Sequence, residues 1–113
     1  MTSADQVADD ERLLRRVHPT FVKPDGTISS QAFTDPETSV DRESLLPSPD
    51  PAVARWAGYG LAALVTGEVR RLGLKVRPDP LEQNPARALI VGKKTKAIAR
   101  QLAQLANWVR RAP

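Results

Sequence analysis

Proline placement constrains this chain more than any other feature. Ten of its 113 residues are proline, four of them between Pro36 and Pro51 and three between Pro78 and Pro85. Each proline removes a backbone donor and locks φ, so both stretches are expected to be connectors rather than central strands or helices. Regular structure must be sought between them.

Ahead of the first proline cluster, Asp9 to Val17 has acids leading and arginines following, with Leu13, Leu14 and Val17 as apolar positions. This charge order suits a helix dipole and predicts a short helix ended by His18-Pro19. Phe21 to Ile28 places two β-prone runs around Pro24-Asp25-Gly26 and predicts a β-hairpin. Thr38 to Asp41 suits a short strand, and Glu43 to Pro51 a loop. Pro51 to Tyr59 opens with a helical turn in this reading.

The second half is more regular. Gly58 to Val65 reads as a buried strand. Thr66 is placed to cap a helix through Leu72 that Gly73 stops. Leu74 to Arg77 alternates apolar and charged residues, as a half-buried strand does. Ala88 to Val91 is an apolar strand, and Thr95 is placed to cap a last helix reaching Arg111. In that helix Ile98, Leu102, Leu105 and Val109 would form one apolar stripe.

The fold class expected is α+β: one small mixed or antiparallel sheet carrying two to three helices, including a long C-terminal amphipathic one. Residues 9–113 form a single domain in this reading, and residues 1–8 a disordered lead. Aromatic residues make up only 4% of the chain, so its core is built of Leu, Val, Ile and Ala.

Charge is divided unevenly. Residues 1–50 hold ten acidic and five basic side chains, whereas residues 51–113 hold twelve basic and three acidic ones. Such a split predicts an anionic partner for one face, or one half docked on the other. The absence of cysteine excludes thiolate nucleophiles, disulfides and thiolate metal sites, and fits a reducing, cytoplasmic setting. One histidine and no Asp-x-Asp-x-Asp loop argue against a metal site, and nothing points to a cofactor. No apolar run approaches the roughly 20 residues that span a bilayer, so no membrane association is expected.

Three constellations carry possible chemistry. Gly92-Lys93-Lys94-Thr95 lies between an apolar strand and a helix, where free N–H groups and lysines attract anions. It lacks the leading glycine of a phosphate-binding loop and carries an extra lysine, so an ATPase reading is rejected. Arg16 and Arg42 are candidates to assist it.

The second constellation joins His18, the only histidine, to Asp41 as a potential acid–base pair. Ser30 would serve as nucleophile or substrate contact. A structural role for the lone His-Pro is the blander alternative. The third is the basic C-terminal half, where Lys93, Lys94, Lys96, Arg100, Arg110 and Arg111 gather on or beside one helix. Phosphate contacts there would depend strongly on salt. Trp108 either closes the core or anchors a partner.

Arg16-Val17-His18-Pro19, Asp25 to Phe33, Ser39-Val40-Asp41-Arg42 and Asn84-Pro85-Ala86-Arg87-Ala88 together resemble a family of small uncharacterised bacterial single-domain proteins. The likeness runs from about Leu13 to Lys94. It implies a histidine where Arg87 stands, so a two-histidine site would be broken here, and it implies no activity.

The sequence thus favours a small binding or accessory module that docks a larger protein partner or an anionic ligand through its basic half. An enzyme or ligand-binding domain acting on a nucleotide or phosphorylated substrate, and a non-specific nucleic-acid binder, are the alternatives. Self-association into a homo-oligomer stays open.

Overall fold

The computed structural model describes residues 7–46 and 58–111. Residues 1–6 of the expected disordered lead, and all but the end of the helical turn expected over Pro51 to Tyr59, lie outside the described residues. Val7, also assigned to that lead, is buried at 2% exposure in the core.

Among the described residues, six antiparallel strands form one sheet: β1 Arg12–Val17, β2 Glu37–Arg42, β3 Gly60–Val65, β4 Lys75–Pro78, β5 Arg87–Val91 and β6 Asn107–Arg110. Their spatial order is β4-β5-β2-β1-β3-β6. Two α-helices accompany them among the described residues, α1 Thr66–Arg71 and α2 Lys96–Leu105. The architecture is therefore α+β on an antiparallel sheet.

The expected helix over Asp9–Val17 is strand β1. Its period decides the matter: Leu13, Arg15 and Val17 turn to one face of the sheet, Leu14 and Arg16 to the other. Leu13, Leu14 and Val17 are all fully buried because both faces are covered. Leu13 and Val17 join the main core with Phe33, Val40, Leu64, Ile90 and Leu102. Leu14 joins a smaller cluster with Leu61 and Ala63 on the opposite face, against which Leu46 and Val109 pack. Fully burying side chains of this size contributes about 1.5–3 kcal/mol each.

The predicted hairpin is reduced to a single bridge, Val22 with Ile28, around the Pro24-Asp25-Gly26 turn. Gly26 adopts φ +87°, the left-handed geometry that glycine supplies without strain. Around it the chain makes two short 3-10 turns, Pro19–Phe21 and Ser30–Phe33. The second lays Ala32 and Phe33 into the core beneath α2.

Strands β3, β4 and β5 fall where hydrophobic patterning places them. Thr66 does not cap α1 by its side chain; it is the helix's first residue, and its hydroxyl donates to the Glu11 carbonyl at 2.9 Å. Gly73 ends α1 with φ +85°. Thr95 does cap α2, accepting from the Ile98 N–H at 3.2 Å.

The largest correction is at the C-terminus. The helix expected to reach Arg111 stops at Leu105, and Asn107–Arg110 forms edge strand β6 against β3. Apolar residues at 98, 102, 105 and 109 fit a helical stripe. The ladder offered by β3 recruits the last of them into a strand, and Val109 packs on the opposite face of the sheet from Leu102. No helix among the described residues is long and apolar enough to cross a membrane.

Candidate functional site

The candidate site is assembled around the Pro-Asp-Gly turn. Its backbone closes through Gly26 N–H to the Lys23 carbonyl and Lys23 N–H to the Thr27 carbonyl, each 2.8 Å. Asp25 locks it further, with Oδ1 accepting from the Thr27 N–H at 3.0 Å and from the Thr27 hydroxyl at 2.6 Å. The hydroxyl bond, more than the backbone one, holds the Asp25 carboxyl below its ordinary pKa. The Gly26 carbonyl accepts from Trp108 Nε1 at 2.9 Å and from Arg111 Nη1 at 3.4 Å. Turn and C-terminal strand are thereby joined across 82 residues of sequence.

An irregularity in β6 makes this possible. Ala62 pairs with Trp108 but its neighbour Leu61 pairs with Arg110, so one extra residue is inserted in β6. Such a bulge shifts the alternation of side chains. Trp108 and Arg111, three apart, consequently meet on one side, with the Arg111 guanidinium 5.9 Å from the Trp108 ring centroid. That distance is within cation–π range.

Between the turn, α2 and β6 lies a cleft of about 560 Å³. Lys23, Ser30, Arg100, Gln104, Trp108 and Arg111 are among the residues lining it. Among the described residues, three cations thus face a single lining carboxylate, Asp25, which is already committed to Thr27. Arg100 comes from a helix with no acidic residue of its own. A second hollow of about 500 Å³ near Asp9 and Arg71 is more open, and its Asp9 is paired with Arg70 at 2.5 Å.

The residues singled out in the sequence are scattered. Ser30 lines the cleft, opening the 3-10 turn capped by Ser29. The Gly92–Thr95 segment is tied to the chain around Pro36. The Gly92 N–H donates to the Pro36 carbonyl, and Lys94 Nζ donates to the Pro36 and Ile90 carbonyls at 2.8 and 2.6 Å. Burial lowers the Lys94 pKa, an effect that nearby Asp35 opposes. Thr95 is engaged as the helix cap, and Lys93 is exposed.

Arg16 and Arg42 belong to other networks. Arg16 Nη1 meets the buried Asp41 carboxylate at 2.9 Å, and Asn84 Nδ2 donates to the other Asp41 oxygen at 2.9 Å. Arg42 pairs with Glu11 at 3.2 Å, and Ser44 binds the same carboxylate. His18 Nδ1 lies 2.7 Å from the Thr20 hydroxyl and accepts from the Thr20 N–H, and its ring sits edge-on to Tyr59. Asp41 is paired with Leu14 in the sheet. His18 is four residues further along the same strand direction, roughly 13 Å at the usual strand rise. The two are not brought together.

Lys23, Gln104 and the joint role of Arg111 with Trp108 were invisible in sequence. Lys23 read as part of a hairpin, and residues 104–111 as one helix. Among the described residues no group of three His, Asp or Glu side chains gathers where a metal ion would sit. No family model, curated protein or solved structure matches this chain.

Proposed function

We propose that this chain is a small binding module that takes an anionic ligand in the cleft between the Pro-Asp-Gly turn, α2 and β6. The observation that carries the reading is the charge of the lining: Lys23, Arg100 and Arg111 against one carboxylate that Thr27 already occupies. Guanidinium groups supply forked donors for phosphate or carboxylate oxygens, and the Ser30 hydroxyl and Gln104 amide add neutral ones. The Arg111 guanidinium is held beside the cleft by the Trp108 ring and the Gly26 carbonyl.

Docking of a larger partner through the same basic half uses the same groups. The enzyme alternative required His18 and Asp41 as one acid–base pair. In the structure each Asp41 oxygen accepts from a donor, Arg16 on one and Asn84 on the other, and His18 is bonded locally to Thr20.

The test is thermal unfolding at low salt with inorganic pyrophosphate. A ligand at about 100 times its Kd adds about 2.7 kcal/mol of stability. For a domain of this size that raises Tm by roughly 10 °C. Stabilisation that disappears in Arg100→Gln and Arg111→Gln supports the reading. A Tm that does not move with pyrophosphate, or moves equally in both variants, overturns it.

A further inference from the structure

The cleft does not stand alone on its face of the molecule. Arg100, on its rim, belongs to the solvent side of α2 together with Lys96, one turn earlier and about 6 Å away along the axis. Lys93 is exposed three residues before Lys96. No acidic residue occurs in α2 or in the Gly92–Thr95 segment leading into it. Lys93, Lys96, Arg100, Arg111 and Lys23 therefore supply positive charge from the approach to α2 through to the far wall of the cleft. A single phosphate or carboxylate would use only the cleft end of this series.

Resting on the cleft reading above, we propose that the ligand is the backbone of a single-stranded nucleic acid, lying along α2 and entering the cleft. Its phosphates repeat a charge at every nucleotide. An extended acidic peptide turns successive side chains to opposite sides, so it matches such a series only at alternate residues. Recognition is by backbone and not by base stacking. The Trp108 ring is partly buried against the core, tied to Gly26 through Nε1, and occupied by Arg111. Among the described residues, no free aromatic platform of the kind that stacks bases is offered in the cleft.

The test is fluorescence anisotropy with labelled oligothymidylates of two to twelve nucleotides, a poly-glutamate peptide of equal charge, and pyrophosphate as competitor. Affinity rises with length to a plateau at roughly six nucleotides, the shortest oligothymidylate that carries five phosphodiesters. With five phosphates neutralised, log K falls against log salt with a slope of about −3.5, about 100-fold in affinity between 50 and 200 mM salt. The exposed double substitution Lys93→Gln with Lys96→Gln makes the slope shallower by about 1.4. Pyrophosphate binding is unchanged in that variant.

Affinity independent of length, a slope unmoved by the double substitution, or equal binding of poly-glutamate overturns the nucleic-acid proposal. In each of these cases a pyrophosphate response that depends on Arg100 and Arg111 leaves the cleft reading standing. If neither pyrophosphate nor any oligonucleotide binds, both fall.

Discussion

Asp41 is 2% exposed and carries its charge into the sheet because two donors meet it there, Arg16 on one oxygen and Asn84 on the other. Removing the carboxylate strands both donors. Asp41→Ala is expected to cost about 3 kcal/mol, the scale seen when one partner of a buried pair is deleted. Asp41→Asn keeps the shape and one acceptor and should cost less. Urea unfolding separates the two: the midpoint falls further for alanine, with an unchanged m value in both. Arg15 works differently, binding carbonyls where Asp41 binds donors. Its guanidinium reaches the Ala32 carbonyl at 3.1 Å and the Ser39 carbonyl at 2.8 Å, fastening the second 3-10 turn to β1 and β2. Burial lowers its pKa, with Asp35 acting against the shift. None of these roles was readable from residue type. Arg15 and Arg16, adjacent in the chain, look alike until the strand period assigns them to opposite faces.

Among the elements, α2 is the one whose beginning was legible and whose end was not. Thr95 has the capping chemistry in its own side chain, and its bond to the Ile98 N–H is local. Thr95→Ala is accordingly expected to destabilise the protein by about 1 kcal/mol, with Thr95→Ser recovering most of it. Thermal or urea unfolding of the three proteins checks this. The helix end, by contrast, has neither glycine nor proline to mark it. It ends at Leu105, with the Ala106 N–H still reaching the Leu102 carbonyl, because the following residues gain a ladder on β3. Strand β1 makes the same point from the other end of the chain. Its charge order resembles a helix, but its neighbours on both sides are strands.

At the scale of the molecule, the two differently charged parts of the chain are interleaved. Strands β1 and β2, from the acidic half, occupy the middle of the sheet. The basic half supplies β4 and β5 on one flank and β3 and β6 on the other. Ion pairs between the halves, Arg70 with Asp9 and Arg77 with Glu37, accompany this docking. Of the two explanations offered by the charge split, docking of one half on the other is realised within the chain, and α2 and the cleft lining keep an excess of cations. The topology also has a kinetic consequence. β1 must find β3, and β2 must find β5, each across some fifty intervening residues. Such non-local pairing places refolding in the millisecond-to-second range instead of microseconds. Stopped-flow tryptophan fluorescence after dilution from urea measures it, and a microsecond phase carrying the full amplitude would contradict the prediction.

By itself, the sequence determined the features whose physics is local: turns at Pro-Asp-Gly and Gly73, strands β3 to β5 from apolar patterning, the Thr95 cap, and an α+β class without disulfides. These depend on φ preferences, short hydrogen bonds and periodicity within a few residues. Tertiary structure alone decided that Asp9–Val17 includes a central strand, that Asn107–Arg110 leaves the helix, and that Lys23, Arg100 and Arg111 share a cleft. Each of those outcomes depends on a partner far along the chain. β1 is extended because β2 and β3 flank it, and the cleft exists because Trp108 and Arg111 reach a carbonyl at Gly26.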